Sequence, residues 1–284
     1  MKLIRTSVPS SQAGGDRLHI VGRAAAATAA ATLTVGHPPA AAQDAAELAK
    51  KMSNPIAAVI SLPFQFNWDR GVGAHRDGKR LTLNIQPVVP ISLNEDWNLI
   101  SRTIVPVVKQ DIPGLGDGSQ SGIGDAVQNL FFSPKKPTEG GLIWGAGPLL
   151  LIPSSTDYIS ADKWGLGPTA VALKLDGPYT YGLLANHIWS VAGSGRQAIS
   201  SSFLQPFFTY TMKTATSFTV QTEATYDWKN EQWNVPIALS VGQILKLGEQ
   251  PIQLTGAARY YADSPAGGAH GWGYRAAVTF LFPK

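Results

Sequence analysis

The sequence predicts an all-β protein: an up-and-down antiparallel transmembrane β-barrel of about 12 strands, with a short helix ahead of it. Three observations carry that prediction. The chain closes on a strand in which Tyr274, Ala276, Val278, Phe280 and Phe282 share one face and Arg275, Ala277 and Thr279 the other. Left at a sheet edge, such a strand invites aggregation, whereas a barrel pairs its last strand with its first and has no edge. The connections between strand-like stretches alternate between long and short, as in outer-membrane barrels with long loops on one side and tight turns on the other. Finally, Trp68, Trp97, Trp144, Trp164, Trp189, Trp228, Trp233 and Trp272 all stand within a few residues of a proposed strand end. An aromatic girdle at each membrane interface would have them there, the ring in an apolar layer and the N–H wet.

Residues 1–42 read as an export signal. Lys2, Arg5, Arg17 and Arg23 precede the small apolar run from Ala24 to Val35, and Ala40-Ala41-Ala42 supplies a cleavage site before Gln43. Residues 43–55 follow as a short periplasmic helix centred on Ala45 to Met52 and stopped near Asn54-Pro55. The barrel occupies residues 56–284, with strands at 57–68, 80–92, 97–108, 123–133, 141–152, 164–175, 179–189, 200–212, 217–227, 233–245, 252–261 and 272–282.

The clearest strand is 217–228, where Phe218, Val220 and Tyr226 alternate with Gln221 and Glu223; the first face is expected toward lipid and the second toward the lumen. In the first strand Ile60, Leu62, Phe64, Phe66 and Trp68 oppose Ser61, Gln65, Asn67 and Asp69. Stretches 123–133 and 164–175 alternate poorly and give no orientation. A soluble β-sandwich also alternates, but several stretches here run to about ten residues, the length a tilted strand needs to cross a bilayer, against about five or six in ordinary sheets. Connections 69–79, 109–122, 153–163 and 190–199 are long, 93–96, 176–178 and 213–216 tight and 134–140 shorter, while the last three, near 228–232, 246–251 and 262–271, blur the contrast before ending long. An even strand number puts both termini on the periplasmic side.

Composition narrows the function classes. With no cysteine there is neither a disulfide framework nor a thiolate metal site. The pI of about 9.2 suggests nucleic acid, but the leader alone carries four basic residues against Asp16, a net +3 of the total +4. The rest of the chain is nearly neutral, so nucleic acid is not an expected partner. Glycine-rich strings such as Gly114-Leu115-Gly116-Asp117-Gly118 open no helix and are not phosphate loops. Asp111, Asp117 and Asp125 lack the spacing of a Ca²⁺ loop, so no metal and no cofactor is expected.

Catalytic equipment is sparse. Asn186-His187-Ile188-Trp189-Ser190 is the one stretch with a nucleophile and a base. On a strand, however, His187 and Ser190 point to opposite faces. No catalytic residue is therefore assigned, and lipid-ester hydrolysis stands as an alternative. The charged side chains proposed to line the lumen are Arg102, Glu223, Arg259, Arg275, Lys174 and Asp125. They would form a solute path, or pair into a network that blocks it.

The stretches Ser119-Gln120-Ser121-Gly122-Ile123-Gly124-Asp125, Phe131-Phe132-Ser133-Pro134, Asn186-His187-Ile188-Trp189, Phe203-Leu204-Gln205-Pro206-Phe207 and Arg259-Tyr260-Tyr261-Ala262-Asp263, with the closing strand, resemble the outer-membrane family named for the meta-cleavage pathway of phenol degradation. The likeness spans roughly residues 50–284 as a whole, with no single diagnostic motif. It implies a bacterial outer-membrane barrel that passes small hydrophobic or aromatic solutes, with membrane lipids and the barrel-assembly machinery as partners, and it supplies no site residues. Pro283-Lys284 after Phe282 departs from the usual aromatic terminus.

Overall fold

The computed structural model describes residues 39–116, 118–195 and 197–282. The expected leader lies outside these residues apart from 39–42, and so does Asp117.

Helix α1 (Pro39–Met52) begins earlier than expected, one residue ahead of the proposed cleavage motif. Its apolar positions Ala45, Leu48, Ala49 and Met52 fall at i, i+3, i+4 and i+7 and pack on Ala215, Ile244 and Leu281. Lys50 and Lys51 stand in the last turn, where positive charge suits the negative end of the helix. The helix ends as Ser53 donates from Oγ to the Ala49 carbonyl at 3.2 Å, and Ile56 N–H donates to Asn54 Oδ1 at 3.0 Å. Pro55 cannot continue the helical hydrogen bonding.

The wall consists of β1 (Ile60–Val72), β2 (Gly78–Ile85), β3 (Val88–Ser92), β4 (Trp97–Asp111), β5 (Gln120–Ile123), β6 (Ala126–Pro134), β7 (Leu142–Ile152), β8 (Trp164–Asp176), β9 (Tyr179–Ala192), β10 (Ser200–Thr211), β11 (Thr216–Thr222), β12 (Ala224–Asp227), β13 (Gln232–Leu247), β14 (Gln250–Asp263) and β15 (Gly271–Phe282). Three pairs, β2 with β3, β5 with β6 and β11 with β12, are interrupted single staves, so the 15 strands make the 12 staves expected. Every neighbour is antiparallel, and β1 pairs β15 from Ile60↔Phe282 to Trp68↔Tyr274, which closes the barrel. No edge strand remains, and the aromatic terminus needs no other cover.

The interruptions follow proline. Pro87 has no N–H, so it cannot take its place in the ladder. Its carbonyl still accepts from Thr103 N–H at 3.1 Å, and Pro63 and Pro106 accept in the same way from Gln86 and Gly124 at 3.0 and 2.8 Å. Glu223, opposite Pro236, keeps one bond, donating its N–H to the Pro236 carbonyl at 3.3 Å.

The stretches that alternate poorly in sequence alternate cleanly in burial. In β8, Thr169, Val171 and Leu173 are buried while Leu166 is exposed; in β6, Asn129, Phe131 and Ser133 are buried and Phe132 is exposed. Periodicity was hidden because both faces of these staves are apolar. In the clear strand Phe218 and Val220 point outward and Ser217 inward, as the pattern predicts. The tight turns 177–178, 212–215 and 248–249 fall at the end that carries the termini; the longer 153–163, 193–199 and 264–270 lie at the opposite, loop end, where 228–231 is tight as well. No helix among the described residues is long and apolar enough to cross a membrane, and strands alone would do so.

Candidate functional site: the lumen

The lumen has two unlike walls. On the side of β14, β15, β1, β2 and β4 it is charged. Arg259 pairs with Asp69, which also accepts a hydrogen bond from Tyr261 Oη at 2.8 Å. Arg275 grips Glu223 with a two-pronged bond, Nη1 to Oε1 at 2.8 Å and Nη2 to Oε2 at 2.7 Å, and donates from Nε to Asn67 Oδ1 at 2.7 Å. Arg102 donates to Gln86 Oε1 at 3.0 Å, and Arg80 to Gln110 Oε1 at 3.0 Å. Four guanidiniums thus face two carboxylates. Across β6, β8, β9 and β10, Phe131, Val171, Leu173, Leu184 and Phe207 form one apolar cluster that also takes in Ile100, two residues before Arg102 on β4.

The N-terminal segment enters from the terminal end. Ile56 is 4% exposed and packs within that apolar cluster, and residues 52–55 with Ala57 and Val59 line a cavity of about 270 Å³ in that half of the barrel. A second cavity, about 430 Å³, lies toward the loops. The two share Gln65, Gln86, Arg102, Gln205, Glu223 and Arg275, which form the waist of the lumen. Gln205 donates to Gln221, and Gln221 to Glu223, completing a polar chain around that waist. Beyond the second cavity, and sharing Ser201 with it, a mouth of about 880 Å³ opens among the loops beside Asp157, Asp162 and Asp227.

Of the six side chains proposed from sequence, the structure brings four to this lumen: Arg102, Glu223, Arg259 and Arg275. Lys174 shares strand parity with the exposed Ala170 and Ala172 rather than with buried Val171 and Leu173, so it stands away from the lumen. Asp125 is a loop clamp, accepting from Ser154 N at 3.1 Å, Ser160 Oγ at 2.5 Å and Ala161 N at 2.8 Å. Asp69, Arg80, Gln86 and Tyr261 were missed. Asp69 was legible as an inward position of the first strand; its partner 190 residues away was not.

The tryptophans stand on outward parity, with Trp97 and Trp144 in edge-to-face contact at 5.9 Å near the terminal end. Trp68, Trp164, Trp189, Trp228, Trp233 and Trp272 form the belt near the loops, each at least 41% exposed.

His187 also faces outward, as its parity with Trp189 requires. It does not meet Ser190, whose Oγ accepts from Ile199 N at 2.9 Å. Instead Nδ1 lies 2.7 Å from Ser202 Oγ, directly across the β9–β10 ladder, and Nε2 lies 3.4 Å from Ser200 Oγ. Trp228 donates from Nε1 to Ser202 Oγ at 2.9 Å. The histidine's second nitrogen therefore meets a hydroxyl, where a hydrolase would place a carboxylate or amide to orient the ring. Gly167 admits the His187 backbone here: a Cβ on it would sit 1.7 Å from the His187 carbonyl oxygen.

No family model matches the chain, and neither does any curated protein. Among solved structures, an outer membrane channel from Pseudomonas putida F1 is similar over 81% of this chain and 97% of its own, at 15% identity and a TM-score of 0.61. The β domain of a Bordetella autotransporter is similar over 78% and 99%, at 13% identity and 0.47. An outer membrane phospholipase of Salmonella typhi is similar over 85% and 98%, at 10% identity and 0.44. The likeness to the Pseudomonas channel is one of fold: the chain has the closed antiparallel barrel of an outer-membrane protein.

Proposed function

We propose that the chain is exported and that its barrel lies in a bacterial outer membrane, where it passes small solutes down their gradients, as the family it resembles would. The observation that carries this reading is the pair of adjoining cavities meeting at a polar waist, inside a wall whose outer face is an apolar band bounded by tryptophans. A core built only for stability would close the waist with apolar side chains, because the two guanidiniums and one carboxylate there are costly to desolvate. Membrane lipids and the assembly machinery are the partners that location implies, and the end carrying the termini faces the periplasm. The refolded protein, reconstituted in a planar bilayer, should give steady small openings and change its gel mobility on boiling. Recovery as a soluble periplasmic species would defeat the barrel's location, and persistent electrical silence would defeat passage in favour of a blocked lumen.

Lipid-ester hydrolysis is a second reading, favoured by the contact between His187 and Ser202 on the lipid-facing belt. The neighbouring Ser200 and Trp228 make the group a clasp of hydrogen bonds between two staves, and passage remains the conclusion.

A further inference from the structure

We propose, on the reading that the lumen passes solutes, that the solute held at its waist is a small monocarboxylate with a compact apolar body, the carboxylate taken by Arg102. Charge accounting is the first support. Glu223 lines both cavities, yet both its oxygens are engaged by Arg275, and Asp69 is held by Arg259 and Tyr261. Among the described residues, Arg102 has no carboxylate within salt-bridge reach; its one side-chain partner is the neutral Gln86. A guanidinium offers five donors in a planar fork that matches a carboxylate, so an incoming anion finds donors still free.

The second support is Arg259. It is 5% exposed and lines the same cavity as Arg102, and its Nε has no hydrogen-bond partner. That nitrogen is itself closed off from a ligand, but the pairing of Arg259 with Asp69 neutralises a carboxylate that would otherwise repel an anion in this cavity.

The third support is the facing wall. Leu149, Leu184, Ile188 and Phe203 line that cavity. They suit an apolar body, and about 430 Å³ lies in the range of small-molecule sites. A sugar would leave these side chains against hydroxyls, and a dianion would meet only one guanidinium without a carboxylate partner in this cavity, because Arg80, held by Gln110, does not line it. The carboxylates at the outer mouth do not reverse the preference. They stand in a wide aqueous opening where salt screens charge over about 8 Å, whereas Arg102 acts in a narrow, low-dielectric passage.

Benzoate, benzyl alcohol and acetate separate the requirements: body with charge, body alone, and charge alone. Binding of each to the folded protein in detergent is measured by titration calorimetry, and conductance is recorded separately in bilayers. Benzoate should bind at least about tenfold more tightly than either of the others, and Arg102→Gln should remove that advantage. Benzyl alcohol binding as well as benzoate, acetate binding as well as benzoate, or benzoate binding unchanged in Arg102→Gln, would each overturn the proposal. Should Arg102→Gln fail to fold, the discrimination among the three probes by the unaltered protein, with Arg102→Lys expected to weaken benzoate severalfold, decides it. A silent bilayer with Arg102-dependent benzoate binding would overturn passage and leave the site standing. A conducting protein without benzoate preference would do the reverse.

Discussion

Arg275 and Glu223 are joined by two parallel hydrogen bonds of 2.8 and 2.7 Å that tie the closing stave to the interrupted one three places round the barrel. The bond lies at the waist where the two cavities meet, so it sets both the shape and the charge of the polar junction between them. Glu223 faces the lumen because it shares strand parity with Ser217, Thr219 and Gln221.

Glu223→Gln should leave Arg275 without its counter-charge and raise the net charge of the wall. Breaking a buried pair from one side costs roughly 3–5 kcal/mol, less where one partner is partly exposed, measured as reduced stability to urea. In bilayers the reversal potential should shift toward anions. A variant of unchanged stability and selectivity would show that the pair is neither structural nor part of the path.

Val220 and Gln221 should separate the faces of their stave. Arginine at Val220, which is 42% exposed on the outer wall, should destabilise by roughly 2–4 kcal/mol if placed near the bilayer centre; Gln221→Arg should be milder. A water-soluble thiol reagent should label cysteine at 221 and spare cysteine at 220. Labelling in the reverse order would exchange lipid and lumen.

Deleting residues 43–58 should raise single-channel conductance severalfold while the barrel still assembles, because β1 starts only at Ile60 and Ile56 occupies the lumen against Phe131. Conductance equal to that of the intact chain would mean that the segment does not limit the path.

His187→Ala and Ser202→Ala should each lower thermal stability modestly, about 1 kcal/mol for a lost hydrogen bond, with no lipid-ester turnover in either variant or in the unaltered protein. Turnover that disappears with either substitution would install hydrolysis as the function.

Gly167→Ala should damage assembly far more than Gly256→Ala. A Cβ at 167 would overlap the His187 carbonyl oxygen, whereas one at 256 has nothing within 4 Å. Comparable yields of the heat-modifiable form for the two variants would refute that close approach.

The sequence by itself determined the architecture: the closing aromatic strand, the number of staves, the side on which long loops gather, and the faces of strands such as 217–227. These are legible because a residue's face depends on its own parity and on the local contrast between polar and apolar neighbours. Where Phe131 and Leu173 make the inner face apolar as well, that contrast vanishes, and only the closed structure oriented β6 and β8. Tertiary structure alone decided that Asp69 meets Arg259, that Ile56 enters the lumen and that His187 meets Ser202 rather than Ser190. Each of these contacts depends on barrel closure, stave register or the path of a non-repeating segment, and periodicity along one strand carries no information about which residue stands opposite on another.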